Sequence, residues 1–329
     1  MSHRPLATLA ATALAAGCLW FATAPEGEAA TSTTLADGLN GPYLYLGWGD
    51  APSPTKVMSA TGITQFTLAF MLSDGTCTPK WDGERGLKGG TDAAAIKAIR
   101  KAGGDVTVSF GGAGGAKLGE KCGSAAALAA SYQKVVDAYD LGSIDIDIEG
   151  TEFTKSSVRK RVVGALKTVK AKNPDLKVYV TFGSGPEGPG TVGTDLVRRA
   201  AAKGLQVDGW AVMPFDFEQG ATDMVAATKS AVTGLKDVVA DAYGISSGAA
   251  YREVGFSTMN GVTDSDGETV TVAGFKAMVT YAKKHHLARV SLWSVNRDRS
   301  CAAGSEADEC SGINQSKYAF TKTLATYTG

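Results

Sequence analysis

The chain has 329 residues and formal net charge zero, with 33 Lys plus Arg against 33 Asp plus Glu, and 44% of its residues are apolar. That is enough apolar material for one large buried core. The charge balance, with no basic run interleaved with aromatics, argues against an electrostatic grip on nucleic acid, so an uncharged partner is expected.

In chain order, residues 1–30 read as an export signal: a basic start at Arg4, an apolar Ala-rich run from Leu6 to Ala24, then small residues at Ala29 and Ala30. Cys18 stands in "LAAGC", which resembles a lipoprotein acceptor site, but the apolar run continues through "LWFATA" where a lipoprotein turns polar. A secreted, extracellular protein is therefore expected rather than a lipid-anchored one. No other apolar run of this length occurs, so no membrane span is expected.

Strand-like runs then start at 42 ("PYLYLGW"), 65 ("QFTLAFML"), 105 ("DVTVSFGG"), 143 ("SIDIDIE"), 177 ("KVYVTFG"), 207 ("VDGWAVMPFDF"), 253 ("EVGFSTM") and 289 ("RVSLWSV"). Between and after them lie helix-period segments at 92–102, 125–139, 156–172, 272–286 and 315–328. Eight strands alternating with helices predict an α/β fold, a (β/α)8 TIM barrel in a single domain over 31–329, with its site at the C-terminal strand ends. A doubly wound sheet would want a Gly-rich nucleotide turn after the first strand, and "LGWGDAPS" does not supply one. Four cysteines remain beyond the signal; their positions favour Cys77 with Cys122 and Cys301 with Cys310.

The fourth run carries the chemistry. Asp145, Asp147 and Glu149 alternate with Ile144, Ile146 and Ile148, so the acids share one face of a strand. In a barrel the outward face is covered by helices, which suits the isoleucines and turns the acids inward. Carboxylates about 6.6 Å apart repel, so at least one should hold its proton at neutral pH. An EF-hand reading fails because position twelve is Ser156 and the even positions are isoleucines. "GGAGGAK", residues 111–117, lacks the Gly and Ser/Thr of a phosphate loop, and "GISSG" at 244–248 follows a helix instead of a strand. His285 and His286 end a helix, as capping residues do. No metal or cofactor is implied, and paired carboxylates remain as acid/base machinery. Asp147 and Glu149 come from one strand and cannot flank a sugar ring as an ordinary retaining pair does.

The chain resembles the family 18 glycoside hydrolases, the chitinase family. That family's DxxDxDxE signature maps onto Gly142, Asp145, Asp147 and Glu149, three acids of four. "SFGG", with Ser109 and Gly112, resembles its strand-three SxGG; "VMPFDF", with Met213, Phe215 and Asp216, its strand-six segment; and "LWSVNRD" its strand-eight segment with the sugar-site Trp, here Trp293. The resemblance implies substrate-assisted retaining hydrolysis of β-1,4-linked N-acetylglucosamine: Glu149 as general acid, Asp147 as partner of the substrate's acetamide, and Asp145 behind it sharing a proton. Trp293, Trp210 and Trp48 are candidate sugar platforms. Two departures stand out. Gly142 replaces an Asp expected deep in the barrel, and Phe215 replaces a Tyr that holds the acetamido group. About thirty residues separate strands seven and eight, which points to the compact branch, a shallow groove and internal cutting. A monomer acting on chitin or its oligosaccharides is expected. An endo-β-N-acetylglucosaminidase of N-glycans and a non-catalytic carbohydrate-binding protein stay open.

Overall fold

In the computed structural model, residues 40–47, 50–217 and 220–329 are described; the expected signal peptide, Cys18 and Trp48 lie outside them. Eight strands build the frame: β1 Tyr43–Tyr45, β2 Gln65–Ser73, β3 Asp105–Gly111, β4 Ser143–Asp147, β5 Lys177–Gly183, β6 Gly209–Met213, β7 Val254–Met259 and β8 Arg289–Trp293. Each pairs in parallel with the next in chain order. Helices follow: α1 Pro54–Thr61, α2 Gly90–Lys101, α3 Ala125–Tyr139, α4 Ser156–Lys172, α5 Gly190–Ala202, α6 Met224–Tyr243, α7 Val272–His285 and α8 Ala319–Leu324. This is a (β/α)8 barrel in one domain.

Local chemistry sets the helix ends. Ser124 accepts from the Ala127 N–H at 3.1 Å, Asp223 from Val225 and Ala226 at 3.0 and 2.9 Å, and Thr271 from Gly274 at 3.0 Å. Helix α6 stops at Gly244, whose φ of 64° suits glycine. Lys283, Lys284 and His285 occupy the last turn of α7, where positive charge complements the helix dipole. The sixth strand is shorter than its sequence run because Pro214 follows Met213 and has no N–H to donate. The last helix covers only 319–324 of the expected 315–328, and the first strand only Tyr43–Tyr45.

The core lies between barrel and helices. Ile144, Ile146 and Ile148 are wholly buried there with Val108, Phe110, Val178 and Val180. The barrel interior is polar instead: Thr67, Thr107, Ser109, Ser143, Asp145, Thr181, Arg289 and Ser291 are all buried. That departs from the branched aliphatic filling usual for such barrels. It also explains how the seam between β1 and β8 closes without a strand ladder. The Asn296 amide donates to the Tyr45 carbonyl at 2.8 Å and accepts from the Tyr45 N–H at 3.1 Å, while the Ser291 hydroxyl donates to the Gly41 carbonyl at 2.8 Å.

Both expected disulfides form, Cys77–Cys122 and Cys301–Cys310. Between β7 and α7 the chain adds a small antiparallel hairpin, Gly261–Val262 with Thr269–Val270, and no larger insertion.

Candidate active site

Strand β4 places its acids as alternation requires. Asp145 sits inside the barrel, Asp147 is buried near the rim, and Glu149, half-buried, begins the turn that leaves the C-terminal end. Gly150 has φ 55° and turns the chain at once into the short helix Gly150–Thr154, which leaves Glu149 at the mouth.

Asp145 is saturated with donors. Tyr43 and Ser109 donate to Oδ2 at 2.8 and 2.6 Å, Thr181 donates to Oδ1 at 2.7 Å, and the Arg289 guanidinium donates to the same oxygen. Arg289 lies between two tyrosine rings, 5.5 Å from the centroids of Tyr43 and Tyr179, and also reaches Thr181 at 3.0 Å. Among the described residues no hydrogen bond joins Asp145 to Asp147, and all four approaches to the Asp145 carboxylate are taken by donors.

Asp147 is the opposite case: its buried Oδ1 has no hydrogen-bond partner. Burial pushes its carboxyl well above the ordinary range, with the Glu149 and Asp145 charges adding to the effect and Arg289 and Lys117 opposing it. Glu149 is raised as well, chiefly by burial and further by Asp216, while Lys117 pulls it down. Lys117 is buried, and its ammonium turns back onto the carbonyls of Gly111, at 3.4 Å, and Gly114. The Gly-rich loop therefore closes on itself around a cation facing the acids.

The SFGG glycines serve close approach. A Cβ on Gly111 would stand 2.0 Å from the Asp147 carbonyl oxygen, and one on Gly112 would stand 2.7 Å from the Phe70 ring. Gly112 donates its N–H to the Asp147 carbonyl at 2.9 Å, so it packs the site and anchors β4. Trp293 stacks on Phe70, with centroids 5.5 Å apart and 17° between planes, above Tyr43 and Tyr45. Trp210 points the other way: it is buried among helix-facing residues against Phe182, so it is core and not a sugar platform.

Glu149, Met213, Phe215 and Asp216 line one groove of about 780 Å³ with Phe153 and the 183–192 loop. Asp216, with φ 53°, accepts at Oδ1 from the N–H groups of Asp264 and Ser265 at 2.9 and 3.1 Å. Its own N–H and that of Phe217 donate to the buried Glu268 at 2.7 and 3.0 Å, so the β6 end and the β7 hairpin are tied together at the mouth. A larger groove of about 1200 Å³ lies on α3 and α4, but its lining brings no two acids together. Gly142 is exposed, and a Cβ there would meet nothing within 4 Å, so this position is not deep in the barrel as expected.

Arg289, Tyr43 and Thr181 were not singled out by motif, and Lys117 entered only as the end of the rejected phosphate-loop run. Arg289 could have been found, because it occupies an inward position of a buried strand, where an unpaired charge is costly. Tyr43 and Thr181 carry no such signal.

No family model matches the chain. Among curated proteins it is 29% identical over 313 residues to the "Probable bifunctional chitinase/lysozyme" of Escherichia coli K12, covering 87% of this chain and 34% of that protein. It is 28% identical over 280 residues to "Endochitinase 11" of Metarhizium anisopliae, covering 78% of this chain and 52% of that one. The chain thus spans between a third and about half of the length of these relatives. Among solved structures, active domain 2 of the thermostable chitinase from Pyrococcus furiosus superposes with a TM-score of 0.80 at 24% identity, covering 89% of this chain and 95% of that one. At that identity the likeness concerns the fold.

Proposed function

Because the chain belongs to glycoside hydrolase family 18, the chitinase family, we infer that it hydrolyses the β-1,4 links of N-acetylglucosamine polymers with retention and with help from the substrate. The observation that carries this reading is the strand of acids at the mouth, with Glu149 held toward its protonated form by burial and the buried Oδ1 of Asp147 beside it without a hydrogen-bond partner. Two acids from one strand cannot stand on opposite sides of a sugar ring, so a protein nucleophile in the usual retaining position is missing. The substrate's 2-acetamido oxygen takes that role.

Glu149 gives its proton to the glycosidic oxygen as the bond to the anomeric carbon breaks, and the acetamido oxygen bonds to that carbon to form an oxazolinium ion. Asp147 accepts the acetamide N–H and faces the developing positive charge. Water then adds to the anomeric carbon, gives a proton back to Glu149, and restores the acetamide. Trp293, backed by Phe70, supplies a flat apolar face of the kind a sugar ring covers. The groove carries no large insertion between β7 and β8, which suits cutting within a chain. Two disulfides fit a protein exported to an oxidising compartment.

The test is Glu149→Gln assayed on chitin oligosaccharides. Turnover is expected to fall at least about a hundredfold, in line with loss of a general acid, with binding retained. Undiminished turnover would sink the assignment.

A further inference from the structure

We propose that Arg289 is the positioning residue of this acid series: together with Thr181 it fills the Oδ1 side of Asp145 while Tyr43 and Ser109 fill the Oδ2 side, which fixes Asp145 as a charged anchor that takes no proton from Asp147. The consequence for turnover rests on the hydrolase reading above.

Three observations carry this. The Arg289–Asp145 ion pair is completely buried, with both side chains 0% exposed. A guanidinium in that place presents donors only, and the other three contacts of Asp145 are hydroxyls that can turn to donate. Second, the space for Arg289 is built. A Cβ on Gly209 would stand 2.9 Å from the Tyr179 ring that covers the guanidinium. Third, Asp147 Oδ1 is buried with no partner, which is the state of a carboxyl waiting for a ligand rather than one bonded to its neighbour. Gly142, where an additional acid is expected from the resemblance, faces open space, so the partner of Asp145 comes from the opposite side of the barrel.

The charged and titratable groups around these acids come from several elements. Arg289 approaches from β8, Tyr43 from β1, Lys117 from the loop after β3, and Asp216 from the end of β6 toward Glu149. Removing the Arg289 charge leaves Lys117 as the cation facing the strand.

The full chain labelled with 13C in aspartate carboxyls answers the question by titration, with Asp145→Asn and Asp147→Asn assigning the two signals. In the wild type the Asp145 signal is expected to stay that of a carboxylate across the pH range of turnover while the Asp147 signal moves. In Arg289→Gln both should move together, and the acidic limb of kcat/KM on a chitin oligosaccharide should shift to higher pH. Its kcat should fall at least tenfold, with KM changed less than threefold. Arg289→Lys keeps the charge and should shift the limb less. Coupled movement of both signals in the wild type, or a folded Arg289→Gln with an unchanged limb, overturns the proposal. If Arg289→Gln does not fold, the wild-type titration decides alone. A wild type inactive on chitin oligosaccharides would remove the hydrolase reading and leave the titration standing, since it needs no substrate.

Discussion

At the scale of single residues, the proposed general acid, Glu149, sits in a balance of charges. Burial raises its carboxyl first, Lys117 pulls it down, and Asp216 pushes it up. A general acid must hold its proton, so on the proposed function activity is expected to fall as pH rises through the raised value of Glu149. Lys117→Met removes the opposing cation and should move the alkaline limb of kcat to higher pH. Asp216→Asn removes a like charge while keeping an acceptor for the Asp264 and Ser265 N–H groups, and should move that limb to lower pH. Paired pH–rate profiles check both, and shifts of the same sign would show that these two groups do not act on Glu149 through charge. Sequence reading singled out Glu149, Asp147 and Asp145 because three acids on one face of a strand are locally visible. Lys117 stood in a glycine run that resembled a phosphate loop, and only its turn back onto the Gly111 and Gly114 carbonyls shows which group it faces.

At the scale of elements, the short helix Gly150–Thr154 ties the mouth to the neighbouring segment Leu118–Lys121. Glu152 is 2% exposed and accepts from the Gly119 N–H at 2.8 Å. Burial raises its carboxyl to about 7 from an ordinary 4.5, against the pull of the Gly119 N–H and Lys117. The folded protein then binds a proton that the unfolded chain has released between those values, so stability declines as pH rises through that window and the loss is complete above about 7. The full difference is on the order of 3 kcal/mol. Glu152→Gln should therefore raise the unfolding midpoint at pH 8 and leave it nearly unchanged at pH 4, as denaturant unfolding at the two values would reveal. A midpoint lowered at pH 8 would show that the charged form is stabilising instead. The seam is the other element-scale feature. β1 and β8 are joined by the Asn296 amide in place of a ladder; this join lay beyond sequence reading, since an Asn after a strand has many ordinary roles.

At the scale of the whole molecule, two covalent ties act on segments of different length. Cys77–Cys122 spans 45 residues and Cys301–Cys310 spans 9. Loop-closure entropy assigns about 4 kcal/mol to the first and about 2.5 kcal/mol to the second. Replacing Cys77 and Cys122 together by Ala should lower the denaturant midpoint more than replacing Cys301 and Cys310, and the reverse order would mean that native contacts outweigh chain entropy here. The sequence by itself determined the eight parallel strands of the barrel and the face each isoleucine and acid takes on β4, and it favoured the cysteine pairs that form. Those follow from periodicity, element order and cysteine placement, all of which are written along the chain. Tertiary structure alone decided that Arg289 meets Asp145 across 144 residues, that Trp210 is core while Trp293 stacks above the tyrosines, and that Gly142 is exposed. The reason is that which inward side chains meet depends on the stagger and tilt of strands around a closed barrel, and this geometry leaves no local mark on the residues it brings together.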